Sequence, residues 1–97
     1  MIVYTIYVAF QCYPGKREEF VRRVRDEGIL DAVLAEEGCH GYDYYFCEKD
    51  PDALLLIEAW ETKEHQQIHI NQPHMEKLRT FNKDYIISAK LGEFELK

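Results

Sequence analysis

"ALLLIEAW", residues 53–60, is apolar on both sides of a strand: Leu54 and Leu56 point one way, while Leu55, Ile57 and Ala59 point the other. A sheet with one wet face alternates apolar and polar residues, so a strand like this one is covered on both faces. The turn signal "DPD" (50–52) leads into it. Upstream, "HGYDYYFCEK" (40–49), with Tyr42, Tyr44 and Phe46 on one face, reads as the other arm of a hairpin. The first stretch, "IVYTIYVAF" (2–10), repeats the two-sided pattern: Ile2, Tyr4, Ile6, Val8 and Phe10 oppose Val3, Tyr7 and Ala9. "YIISAKLGEFEL" (85–96) reads as a fourth strand.

Helices fill the gaps. After the turn signal "YPG" (13–15), Phe20, Val21 and Val24 share a helical face, and Ile29, Leu30, Val33 and Leu34 form a second apolar group. The groups do not superpose at 3.6 residues per turn, and Gly28 lies between them, so a kink or two short helices is expected. Gly38 is a natural stop. Thr62 can cap a helix that carries His65 and His69 and ends before Pro73, which opens another helix through Phe81. The order is β-α-β-β-α-β, the split βαβ or ferredoxin-like α+β arrangement with a four-stranded antiparallel sheet. The chain's own helices cover one face of it. A second copy of the chain is the simplest cover for the other, which makes the expected state a homodimer.

Composition narrows the function. Ninety-seven residues suit a single domain, 1–97. Hydrophobic residues at 46% and aromatics at 13% exclude a disordered chain. A formal charge of -6 argues against a nucleic-acid partner, because the most basic stretch, Lys16–Arg25, is broken by Glu18 and Glu19. No run is long enough to span a membrane, and the start lacks the basic region of a signal peptide. Cys12, Cys39 and Cys47 are odd in number and irregularly spaced, which suits reduced thiols in a cytoplasm.

Three of the four histidines fall in "HQQIHINQPH" (65–74). His65 and His69 share a helical face at i, i+4, a spacing that also suits metal ligands. Here Gln66, Gln67 and Ile68 lie between them, no glutamate takes the general-base position and no third ligand stands out, so no metal is expected. His65 reads as an exposed residue of a first helical turn, and His40 as a loop residue. His69 and His74 flank Pro73 and can both face a pocket beside Trp60. An indole there could stack a flat aromatic while an imidazole exchanges a phenolic proton. Taken alone, Trp60 is a core residue at a strand end. Glu58 and Asp43 sit on strands, where a buried carboxylate is costly without a partner. No GxGxxG, Walker loop or CxxC supports a nucleotide, flavin or iron–sulfur cluster.

Three segments carry a resemblance: "PGKREEF" after the first strand, "EEGCHGYDYY" entering the second and "EAWETKEHQQIHINQPH" leaving the third. Over nearly its whole length the chain resembles the antibiotic-biosynthesis monooxygenase family of dimeric α/β-barrel proteins, particularly its quinol-monooxygenase-like branch. In that family an acidic residue and an aromatic close the third strand, and histidines follow about nine and fourteen residues on. Glu58, Trp60, His69 and His74 match. The resemblance implies His69 and His74 as catalytic residues and Trp60, Glu58 and Tyr44 as substrate contacts. It implies no cofactor: the anion of a small quinol or polycyclic phenol reduces dioxygen directly. Haem-degrading members rely on an asparagine of the first strand, and here the first asparagine is Asn71. An isomerase or tautomerase using the same pocket, and a non-catalytic dimeric ligand-binding module, remain as alternatives.

Overall fold

The computed structural model of the chain describes residues 3–94. Ile2, expected in the first strand, and Glu95 and Leu96, expected in the last, lie outside the described residues. The elements run β1 (Tyr4–Cys12), α1 (Arg17–Asp26), α2 (Ile29–Leu34), β2 (Cys39–Phe46), β3 (Ala53–Trp60), α3 (Lys63–His69), α4 (Pro73–Asn82) and β4 (Ile86–Glu93). This is the ferredoxin-like α+β order expected. The break between α1 and α2 falls at Gly28, which turns the chain at φ 77°. Thr62 caps α3 by accepting the backbone N–H of His65 at 3.2 Å. β2 stops at Phe46 rather than Lys49 because Arg17 holds the hairpin turn. Its guanidinium, largely buried, donates to the carbonyls of Cys47, Asp50 and Ala53 at 3.0–3.2 Å.

The four strands form one antiparallel sheet, in the order β2-β3-β1-β4. The register sets Tyr4 opposite Trp60, and Glu58 between Ile6 and Tyr42. Burial alternates strictly along β3: Leu54, Leu56, Glu58 and Trp60 are buried, and the residues between them are only half-buried. The buried parity faces the helices. Phe20 anchors that side, with the rings of Phe10, Tyr44, Phe81 and Tyr85 centred 5.8–6.4 Å away. Val24 and Val33 complete the seam at zero exposure. On the other face Tyr7, Leu55, Ile57 and Tyr45 present an apolar surface that no described element covers. Tyr7 lies flat over Gly92, where a Cβ would come within 2.4 Å of its ring.

Candidate active site

Four elements converge at the open end of β3. β3 itself supplies Glu58 and Trp60; the segment after α2 supplies Glu36; the last residue of α3 is His69; and His74 lies in the first turn of α4. The Glu36 segment is fixed by the backbone. The N–H of Cys39 donates to the Glu36 carbonyl at 3.2 Å, and that of Glu61 to the Gly38 carbonyl at 2.7 Å. Gly38 is required twice over. Its φ is 82°, and a Cβ there would lie 2.5 Å from the His65 ring. His65 is in turn held against Thr62, with Nδ1 2.7 Å from Oγ1. It thus belongs to the helix cap, half-buried rather than exposed as expected, and is not grouped with His69.

His69 and His74 do come together, on a carboxylate that the sequence reading passed over. Glu36 Oε2 lies 2.7 Å from His69 Nδ1 and 2.7 Å from His74 Nε2. A carboxylate only accepts, so each of these ring nitrogens donates. Nδ1 of His69 is therefore the protonated one in the neutral ring, and Nε2 carries the lone pair. Nε2 faces Glu58, 3.8 Å from Oε1. The same Glu58 oxygen accepts the indole N–H of Trp60 at 3.0 Å. The Trp60 ring lies against the imidazole, centroids 4.6 Å apart and tilted by 35°, and Tyr42 meets it edge-on at 5.6 Å. His69 is thus enclosed by two acids and two aromatics at 1% exposure.

The sequence expectation for Trp60 as a stacking platform meets a different arrangement. Its exposure is zero, and a face of the indole is taken by His69. What reaches a cleft is Tyr44. A hollow of about 420 Å³ opens between the β2 edge and helices α1 and α2, lined by Val21, Arg25, Leu30, Tyr42 and Tyr44 among others. Tyr42 is shared: it lines this cleft and also touches His69. Burial raises the pKa of both tyrosines above the phenol range, so both stay protonated. A second hollow, about 430 Å³, lies over Glu36 and is lined by Glu37, His65, Ile68 and Gln72. A third, about 500 Å³, sits on the uncovered sheet face around Ala9, Tyr45 and Leu55 and holds no acid or histidine. Asp43 is exposed on β2, and His40 pairs with Glu61, away from this centre.

The surroundings of Glu58 shift its proton affinity. Burial raises its pKa from the ordinary 4.5; the Trp60 N–H and the charge of His69 pull it back, and the charge of Glu36 pushes it up again. A raised carboxyl pKa means that the folded state binds the proton more tightly than the unfolded chain. Stability from this group is then greatest at low pH and is lost as pH rises from about 4.5 through the raised value. Glu58→Gln keeps the acceptor for Trp60 without the charge. The difference in urea midpoint, variant minus wild type, should grow across that window and then level off. A difference that stays flat with pH would mean that Glu58 is not held in this way.

Comparison with known proteins bears on the fold and the family. A family profile described as "Antibiotic biosynthesis monooxygenase" matches residues 3–80. The chain is 32% identical over 79 residues to the "Probable quinol monooxygenase YgiN" of Escherichia coli K12, covering 73% of this chain and 76% of that protein. Among solved structures, a conserved protein from Methanosarcina mazei superposes with a TM-score of 0.87 at 21% identity, covering all of this chain and 95% of the other. A Pseudomonas aeruginosa protein gives 0.85 at 22% identity, with 100% and 96% covered. These two show the fold. The profile and the Escherichia coli relative show more: the chain belongs to the antibiotic biosynthesis monooxygenase family.

Proposed function

We propose that the protein is a cofactor-independent monooxygenase that oxidises a small quinol or polycyclic phenol with dioxygen. The observation that carries this reading is His69. Its imidazole is oriented by the Glu36 carboxylate, enclosed beside Trp60 and turns its unprotonated Nε2 toward Glu58, 3.8 Å away. An acid that fixes the tautomer and orientation of a histidine is a recurring way to make a general base. The substrate enters by the cleft along Tyr44 and displaces the edge of Tyr42 to reach His69. Nε2 takes a phenolic proton, and the electron-rich anion reduces dioxygen. For a hydroquinone, one oxygen atom remains on the ring as a hydroxyquinone and the other leaves as water. The quinol supplies all the electrons, so no flavin or nicotinamide is needed. Exclusion of water by the surrounding aromatics protects the anion and strengthens its interaction with the imidazolium.

The test is oxygen uptake on hydroquinones and anthrones, with autoxidation subtracted. We expect one dioxygen consumed per quinol and one labelled oxygen in the product from ¹⁸O₂. Turnover of a substrate without oxygen would replace this reading by an isomerase or tautomerase. Binding of such aromatics without turnover under any gas would leave a ligand-binding module.

The same proposal includes a homodimer. Two uncovered faces, each carrying Tyr7, Leu55, Ile57 and Tyr45, are self-complementary in the way a two-fold interface requires. We expect the interface to bury more than ~2,000 Å², as in permanent dimers. Light scattering at micromolar concentration should give twice the chain mass. A monomer that stays folded on dilution would sink the idea. Cytoplasmic residence suits the three free thiols. No described helix is long and apolar enough to cross a membrane.

A further inference from the structure

We propose that Glu36, His69 and His74 form a binding site for a divalent transition-metal ion of the zinc class, and that an ion there withdraws His69 from proton transfer. The second half rests on the oxygenase reading above; the first half does not.

The donors come from three separate pieces of structure, yet the carboxylate oxygen and the two ring nitrogens all lie within 4.8 Å of one another. Two imidazoles and one carboxylate are a donor set that zinc and its neighbours in the first transition row accept. The mounting is firm. Glu36 is on the segment pinned by Gly38 to Glu61, His69 is wedged between Trp60 and Tyr42, and His74 is in the turn that Pro73 opens. The present separations of 2.7 Å are hydrogen-bond distances. Around a tetrahedral ion with bonds of about 2.0–2.1 Å, ligand atoms sit roughly 3.3 Å apart, so the cluster must open by about half an ångström. The His74 side chain is 18% exposed and can make that movement; His69, at 1%, holds its place.

Two further features are independent of the three donors. A ligating histidine usually turns its other ring nitrogen to an acceptor, which fixes the ring and raises its basicity. Nε2 of His69 faces Glu58 at 3.8 Å, and the Trp60 N–H already fixes Glu58. The hollow over Glu36, lined also by Glu37, His65, Ile68 and Gln72, gives an ion a route from solvent. The cluster is arranged around an exchange: one divalent ion takes the place of the two N–H groups that now point at Glu36, and in each neutral ring the proton moves to the other nitrogen. With metal on Nδ1, the proton of the neutral His69 ring sits on Nε2, and the lone pair proposed to accept the phenolic proton is gone.

The experiment titrates Co²⁺ into chelator-treated full-length protein and follows the visible ligand-field bands, with Zn²⁺ competition and calorimetry as the second readout. We expect one ion per chain, bands of low coordination number, displacement by Zn²⁺ and a higher melting temperature with Zn²⁺. His74→Ala and Glu36→Gln should each weaken binding at least tenfold, and His65→Ala should change it little. Circular dichroism of each variant checks that the fold survives. His74→Gln serves where the alanine does not fold, because an amide there can still reach Glu36. Less than one Co²⁺ per chain, or binding unchanged in both Glu36→Gln and the His74 variant, would overturn the site. If Zn²⁺ binds with these properties but leaves oxygen uptake unchanged, the inhibitory half is wrong. If no oxygen uptake is found on any phenol while Co²⁺ binds as described, the oxygenase reading fails and the metal site stands.

Discussion

Replacing His69 with alanine should lower enzyme-dependent oxygen uptake on a hydroquinone by roughly 10²–10⁴-fold, the usual worth of a positioned base. The loss should appear in kcat more than in KM, because the proton moves only as the reaction proceeds. His69 is singled out over His74 by the geometry of Glu36. Both rings donate to one carboxylate oxygen, but only His69 turns its second nitrogen inward, toward Glu58 and the Trp60–Tyr42 enclosure. His74→Ala removes a neighbour of Glu36 and should cost less. Glu36→Gln keeps one acceptor oxygen and removes the charge that stabilises the imidazolium, so it should reduce kcat without abolishing binding. His69→Gln, close in size, guards against loss of fold. If His69→Ala and His69→Gln both retain the wild-type rate and pH dependence, the proton goes elsewhere.

Zinc inhibition sharpens the same point. The atom that would bind the ion, Nδ1, is the one that now donates to Glu36, and the atom proposed to do the chemistry is the other nitrogen of the same ring. Inhibition by Zn²⁺ that disappears with chelator would tie the two together without any change in sequence.

Strand pattern carried most of the fold. The apolar run of residues 53–60 marked β3 as a strand, though not which parity faces the helices, and Gly28, Thr62 and Pro73 marked where helices break or begin. Boundaries slipped where a tertiary contact decides them, as where Arg17 reaches across about thirty residues to end β2. The site was half legible. His69, His74, Trp60 and Glu58 could be singled out because they are unusual residues next to strand and helix ends. Glu36 could not. "EEG" reads as the polar finish of a helix, and nothing local tells which of two adjacent glutamates is swallowed by the core. The available signal was two-sided: His69 and His74 needed an acceptor, and a glutamate near an entering strand was the nearest acid without a task. Trp60 shows the opposite error. A large amphipathic ring at a strand end invites a ligand, and only packing shows that another side chain already occupies its face.

Trp60→Ala accordingly should act on stability first. The side chain is fully buried, and emptying such a site costs about 3–5 kcal/mol, through lost burial plus the cavity left behind. Domains of this size are stable by about 5–15 kcal/mol in total, so the variant should lose a large share of its urea midpoint. Trp60→Phe separates the ring from the N–H. It keeps an aromatic beside His69 but removes the donor to Glu58, a bond that now holds the raised Glu58 pKa down. In that variant Glu58 should titrate higher still, and the loss of stability on going from acid to neutral pH should be larger than in wild type. Substrate affinity should change less than folding in both variants, since the indole presents no surface to the cleft along Tyr44. The opposite pattern would be decisive. If Trp60→Ala unfolds at the wild-type urea concentration yet binds hydroquinone much more weakly, the indole is turned to the ligand in solution, and the brace on His69 assigned to it here is wrong.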